Sequence, residues 1–551
     1  MKKPFLIIFL ISCTYNIVSA KTYFLSPTGN DQNTGTLNSP FWSFQKVQSL
    51  VSAGDTVYLR GGTYIMKPSD VTKIDSAYDS RISGYRYWTY VNYMTKSGTS
   101  GKRINYWAYP GEKPILDFTA IKPVNHRVIG FWVTASWLYF KGLDVIGVQV
   151  NCKINSQSEC FHNEGSNNIF EQLNMHDGMA IGFYLTKGSN NLVLNCDAYN
   201  NYDFYSGDMK GGNTDGFGFH PGKGGTGNIA RSCRAWFNSD DGYDCISSAE
   251  AIVFDHCWAF YNGYTSSFAE KGDGNGFKIG GHGANPAPSS LPNPMPSHTS
   301  KFCLSYYNKR YGFTANHHVE APNYFYNNTS WDNKLANYCM LSKKIVKNKA
   351  GVDSAAVDCP GFSQVMSNNL SYNATRGIDT AFIGTCVLDY NSFARQYGYN
   401  VTAADFESVD VSQLMAPRNA DGNLPNISLM HLKPTSNHID RGVNVGLPFF
   451  GSAPDLGAFE MNPSTAIDEV GMTEKDIRIL YKRSERSIIA NFNNTNNRIS
   501  AIRVYDSFGR TLYSESNNSS KTEFTIPLQL HGVYIITVFT QDGIISKKIA
   551  L

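Results

Sequence analysis

Four cysteines constrain this chain more than any other feature. The segments "NCDAYNN" from Asn195, "SCRAWFN" from Ser232, "HCWAFYN" from His256 and "FCLSYYN" from Phe302 each place an Asn five residues after the Cys, at Asn201, Asn238, Asn262 and Asn308. The phase continues through Asn328 and Asn333 in "NNTSWDN" and through Asn368 and Asn373 in "NNLSYN". The interval varies: 37 residues separate Asn201 from Asn238, and 24 separate Asn238 from Asn262. A helical repeat would lose its packing face at insertions of that size. A β-solenoid tolerates them, because extra residues leave as loops at a corner between strands. Its coils stack at strand spacing, about 5 Å. Equivalent side chains then lie on one another, Cys in the interior and Asn at a turn, where stacked amides satisfy buried polar groups. On this reading Cys196, Cys233, Cys257 and Cys303 are small core residues rather than redox centres.

The ends fit an all-β solenoid. Between Ser26 and Tyr64 one amphipathic helical run, about Phe41 to Val51, precedes a strand; a helix there would cap the first coil and block edge-to-edge pairing. "APDLGAFE", Ala453 to Glu460, reads as the close of the solenoid. Composition shifts near Asn462-Pro463-Ser464. Beyond it, alternating strands about a turn at Asp506 to Arg510, and three more strands after them, predict a small β-sandwich over 463–551. At the other end Lys2 and Lys3, the apolar run Phe5 to Cys13 and Val18-Ser19-Ala20 form a secretory signal over 1–20, which leaves a solenoid domain over 21–462. The apolar run is too short to span a bilayer, and no later stretch is long enough. The expectation is an exported chain, secreted or attached to a cell surface, and monomeric.

Ten cysteines remain after the signal. Export permits disulfides, Cys152 and Cys160 could pair, and no C-x-x-C zinc spacing occurs. The net charge of +3, with no long basic run, argues against nucleic acid as a partner. An acidic polymer remains admissible, since a local basic cleft would suffice.

The ladder also gives coordinates to chemistry-bearing residues. "NSDDGYD" crowds Asp240, Asp241 and Asp244 together; such carboxylates repel unless a cation sits among them or one keeps a proton. One coil earlier lies Asp215 in "NTDGFGF", and one coil later Lys278 in "GNGFKIGG". Four converging carboxylates with oxygen ligands suit calcium, which takes six to eight oxygens in loose geometry; the lack of nearby His or Cys pairs argues against zinc. Calcium beside a lysine on an exported solenoid points to β-elimination of a uronic-acid polymer. The metal would stabilise the enolate-like charge formed when the C5 proton leaves, and Lys278, its pKa lowered by the cation, would be the base. Arg310, in line with Asp240, is a candidate for a substrate carboxylate. Lys210 and Lys223 are weaker candidates on loops. The Pro- and Ser-rich insertion Ala284 to Ser300 is expected at the cleft rim.

"NTDGFGFHPG", "CRAWFNSDDGYD", "WAFYNGY" and "GDGNGFKIGG" resemble the ninth polysaccharide-lyase family, right-handed parallel β-helices that cleave pectic polymers with calcium. The resemblance covers about residues 21–460. It implies that Asp215, Asp240, Asp241 and Asp244 bind calcium and that Lys278 is the base. The family includes enzymes for homogalacturonan and for rhamnogalacturonan I, and the quoted residues do not separate them; His220, after "DGFGF", lies near the cleft. "IRVYDSFGR", "LHGVYIITV" and the terminal "KKIAL" resemble the C-terminal sorting domain of proteins exported by the type IX secretion system, which implies that machinery as a partner. Two rivals share the solenoid. Asn213-Thr214-Asp215, Asp240-Asp241 and Gly281-His282-Gly283 look like fragments of a polygalacturonase hydrolase signature, in which carboxylates work with water; that reading leaves Asp244 and Lys278 without roles. A non-catalytic glycan-binding adhesin would need no lysine beside the acids.

Overall fold

The computed structural model describes residues 20–461, apart from 208, 283–287, 319–320, 341–342, 351, 359–363, 376–385 and 394–399, together with 477–482, 487–492, 499–506, 511–516, 523–527, 533–540 and 543–550. The signal segment, most of the Asp506–Arg510 turn and part of the Ala284–Ser300 insertion lie outside the described residues. The chain divides into two units, Met1–Met461 and Asn462–Leu551.

Short strands wind the first unit into a parallel β-helix. One sheet of twelve strands runs from Thr22–Leu25 to Val387–Asp389, a second of ten from Gly62–Ile65 to Leu370–Tyr372, and a third of eleven from Lys73–Asp79 to Ala336–Cys339. The third sheet opens with the antiparallel hairpin Lys73–Asp79/Gly84–Met94 and is then parallel coil to coil along its main path. Each strand residue pairs with its equivalent one coil on, so columns of like side chains form. Phe217, Tyr243, Phe277, Phe313 and Tyr338 make one inward column, fully buried and stacked face to face at 4.6–5.3 Å. Such stacks carry the hydrophobic stabilisation of a narrow core, at roughly 25 cal/mol per Å² of apolar surface removed from water.

The cysteine and asparagine columns are real. Cys196, Cys233, Cys257 and Cys303 are free thiols with no exposed surface. Asn201, Asn238, Asn262, Asn308 and Asn333 hand amide to amide, each Nδ2 donating to the next Oδ1 at 3.0–3.1 Å. The column then ends at Asn337 rather than running on to Asn373, which is exposed and bonded to Asp332. Asn328 belongs to a different column: it accepts from Cys303 N at 3.0 Å and donates to Asn369, which donates to Asn391. Its neighbour Asn368 instead ties Asn327 and Val443.

Three further expectations change. The capping helix is only Phe44–Gln48, because Phe41 is already committed to extended pairing with Phe24 and Leu25; Ser43 caps it by accepting from Lys46 N, and Phe44 and Val47 are its buried residues. Cys152 and Cys160 do not pair: both are free, Cys160 in the main core and Cys152 in a separate cluster with Val150 and Met179. Ala453–Glu460 ends the first unit, but not as a further coil. It lies along the side of the solenoid, with Gly457 N donating to Asn368 O and Ala458 N to Thr329 Oγ1. The wider segment brings Phe406, Leu414, Leu429 and Leu456 against Trp258, Leu304, Trp331 and Leu370, and Arg418 and Arg234 both clamp Asp197.

The second unit holds two antiparallel sheets. One comprises Ile477–Lys482, Ser487–Phe492 and Glu523–Pro527; the other Ile499–Asp506, Thr511–Ser516, Val533–Thr540 and Gly543–Ala550. Ile502, Val504, Phe524, Ile526, Ile536 and Val538 are among its buried residues. Among the described residues no helix is long and apolar enough to cross a membrane.

Candidate active site

Two adjacent columns of the third sheet build the site. The repeated triplets Asp215-Gly216-Phe217, Asp241-Gly242-Tyr243 and Asn275-Gly276-Phe277 put Asp215, Asp241 and Asn275 at equivalent places on successive coils. The glycines are required for close approach: a Cβ on Gly242 would sit 2.7 Å from Gly276 O, and one on Gly276 2.6 Å from Gly312 O. Each aromatic plugs the core beneath. One residue further along, the register pairs Gly218 with Asp244 and Asp244 with Lys278. Alternation along a strand turns these side chains outward, opposite to the aromatic column.

Asp215, Asp241 and Asp244 bring carboxylate oxygens within 4.8 Å of one another, and all three are buried. Backbone and amide donors fix them: Asp241 N donates to Asp215 Oδ1 at 3.1 Å, Asn275 N and Nδ2 both donate to Asp241 Oδ1 at 2.7 Å, and Ile246 N donates to Asp244 Oδ1 at 2.7 Å. Each therefore keeps an oxygen turned away from these donors. Lys278 Nζ lies 3.0 Å from Asp244 Oδ2 and 3.0 Å from Asp241 Oδ2, with its side chain 13% exposed. Asp241 Oδ2 is buried without an aligned hydrogen bond, and so are Asn275 Oδ1 and Thr214 Oγ1. Asp240, buried, stands just outside the trio and accepts from Asp273 N at 2.6 Å.

Burial, and then repulsion among neighbours, pushes the carboxyls of Asp215 and Asp240 well up; Asp241 is also raised by burial, against the pull of Lys278. Burial alone would lower Lys278. The carboxylates of Asp241, Asp244, Asp240 and Asp215 outweigh it and hold the ammonium proton firmly. Four carboxylates against one ammonium leave a buried excess of negative charge, which is costly without a further cation. Hard oxygen donors, carboxylate oxygens turned away from the backbone donors and loose spacing fit calcium. They do not fit zinc, which takes nitrogen and sulfur ligands in tight tetrahedra.

Other expected residues are distributed around this centre. His220 follows Gly218 on its coil, and its Nδ1 donates to Ile246 O at 2.7 Å. Arg310 is paired with Asp273 at 2.9 Å, its side chain 39% exposed; that contact, not stacking on Asp240, sets its direction. Lys210 and Lys223 are exposed on loops. Asn275, which orders Asp241, and Asp273, which links Arg310 to Asp240, escape a reading by charge count. Both lie in "GDGNGFKIGG", where the matching place before the glycine would have marked Asn275.

Residues 23–353 match the family described as Pel9A-like, right handed beta helix region. The chain is 32% identical to pectate lyase L of Dickeya dadantii over 82% of this chain and 92% of that protein. It is 28% identical to pectate lyase PEL9 of Emericella nidulans over 76% and 93%. Among solved structures, a rhamnogalacturonan lyase superposes with a TM-score of 0.67 at 40% identity, covering 75% of this chain and 97% of the other. Pectate lyase Pel9A does so with 0.61 at 30%, covering 81% and 98%. These relatives set aside both the hydrolase and the adhesin. The chain belongs to the Pel9A-like right-handed β-helix family and is a polysaccharide lyase.

Proposed function

We propose that this lyase cleaves a pectic uronic-acid polymer by calcium-dependent β-elimination, with Lys278 as the base. The observation that carries the reading is the Lys278 ammonium 3.0 Å from both Asp241 and Asp244 inside a buried acidic set. Asp215, Asp241 and Asp244 would hold the metal, with Asp240 beside them completing the acidic set. Bound calcium supplies positive charge that stabilises the carbanion conjugated to the substrate carboxylate.

The chain's own groups do the rest. In the metal-free arrangement Lys278 is itself the counter-ion of the acids, which is why its proton is held. With those carboxylates engaged by a divalent cation, Lys278 would lose its anionic partners, and its proton would be held less firmly. The neutral amine then takes the C5 proton. The C5 electron pair forms the C4–C5 double bond, and the C4–O4 bond breaks. Arg310, paired with Asp273, and His220, packed on Tyr184, are the candidates for holding neighbouring sugars.

The relatives are named for pectate and for rhamnogalacturonan, so both backbones are tested in parallel, with and without chelator. The product to follow is the ultraviolet-absorbing unsaturated end. Calcium-dependent formation of that product from at least one polymer is expected. Lys278→Ala should lose at least about a thousandfold in kcat while calcium binding, followed by calorimetry, persists. A near-normal rate for Lys278→Ala overturns the assignment.

Export by way of the 1–20 signal, and passage through the type IX machinery directed by the second unit, complete the proposal. It makes the enzyme secreted or surface-held, where a plant polymer would be met.

A further inference from the structure

The elimination proposed above leaves one proton unassigned, and the inference rests on that reading. Breaking C4–O4 leaves the departing oxygen with an electron pair that has to be protonated. The acidic trio acts ionised, and Lys278 is the acceptor of the other proton.

Tyr184 lies on the strand Ile181–Leu185, in the same outward column as the reacting groups: His162, Tyr184, Gly218, Asp244 and Lys278 pair in register, coil by coil. Gly218 leaves a vacant place between Tyr184 and Asp244, and the Tyr184 ring leans into it. A Cβ at 218 would lie 2.7 Å from Tyr184 Cδ2 and 3.1 Å from Cε2. Two histidines fix the ring. His162 meets it edge-on at 5.2 Å and is itself hydrogen-bonded to Thr186 Oγ1 at 2.8 Å. His220 packs at 5.0 Å, held by its bond to Ile246 O. Among the described residues the Tyr184 hydroxyl has no hydrogen-bond partner, and the side chain is partly open to solvent. A clamped ring with a free phenol, leaning toward the acidic column, is a preorganised donor of the kind this reaction needs.

We propose that Tyr184 is the catalytic proton donor to the leaving glycosidic oxygen. Its O–H bond breaks as the C4–O4 electron pair takes the proton. Lys278 has gained the C5 proton, so the enzyme is left as ammonium and phenolate, and exchange of one proton through water restores both.

Tyr184→Phe removes only the hydroxyl and keeps the ring against His162 and His220. On whichever pectic polymer the wild type cleaves, kcat should fall about a hundredfold. Affinity for the same polymer, compared between Lys278→Ala and the Lys278→Ala/Tyr184→Phe double variant, should change by less than about twofold. On a galacturonide bearing para-nitrophenoxide at C4, which departs without protonation, Tyr184→Phe should run within about threefold of wild type. Equal losses on both substrates, or a polymer rate for Tyr184→Phe within about threefold of wild type, would remove Tyr184 from the role and leave the elimination intact. A wild type that forms no unsaturated ends from either polymer would defeat the elimination reading before Tyr184 is tested.

Discussion

Asp241 shows how one carboxylate can serve two masters. It accepts two hydrogen bonds from Asn275 on one oxygen and faces Lys278 with the other. Burial and mutual repulsion raise the carboxyls of Asp215, Asp240 and Asp241, so each gives up its proton at a higher pH in the folded chain than in the unfolded one. Their contribution to stability is therefore present below the ordinary carboxylate range and is lost as pH rises toward their raised values. The calcium site proposed above needs the same groups ionised. The gain in Tm on adding calcium should accordingly be larger at about pH 8 than at about pH 6, as thermal unfolding with and without chelator would measure. A gain that is flat or shrinks with rising pH counts against these ligands. At this scale the sequence was informative where charges cluster: Asp215, Asp241, Asp244 and Lys278 stand in quotable motifs. It was silent on Tyr184 and Asp273, whose relevance comes from which side chain a neighbouring coil leaves out or orients. For Arg310 it gave the place in the column but not the partner, Asp273, that aims the long side chain.

The asparagine column is the element that sets coil against coil. Asn262 donates to Ala235 O and Asn308 Oδ1, each at 3.0 Å, and accepts from Asn238 Nδ2 at 3.1 Å. Asn262→Ala would strand several buried partners, at a cost of about 2–4 kcal/mol in unfolding free energy. Asn373→Ala, at an exposed position outside the column, should cost less than about 0.5 kcal/mol. Denaturant titration of the two variants separates them, and equal costs would mean that the column is ornamental. The column was legible because Cys and Asn keep a fixed separation along one strand and turn. Its terminus was not, since Asn328, Asn333, Asn368 and Asn373 share a motif while only Asn333 continues the Asn308 line. Helix length was likewise overread: apolar periodicity extends to Phe41, but backbone pairing with Phe24 claims that residue first.

For the whole molecule, each unit has buried apolar residues of its own. A chain ending at Met461 should therefore keep kcat/KM on its polymer within about twofold while losing the export or surface attachment proposed for the second unit. Loss of activity on truncation, assayed on purified protein, would show that the units depend on each other. The solenoid itself was readable from irregular spacing, whereas the path of the segment after the last coil was not, because a chain folding back along a flank leaves no periodic trace. The irregular spacing has an evolutionary meaning as well. Asp215 and Asp241 are 26 residues apart, and Asp241 and Asn275 are 34 apart, yet all three arrive in one file. Length is absorbed where the polypeptide bulges outward, and none of it reaches the reacting atoms. Descendants of this scaffold are thus free to retailor the walls around a new polymer while inheriting an unaltered chemical engine.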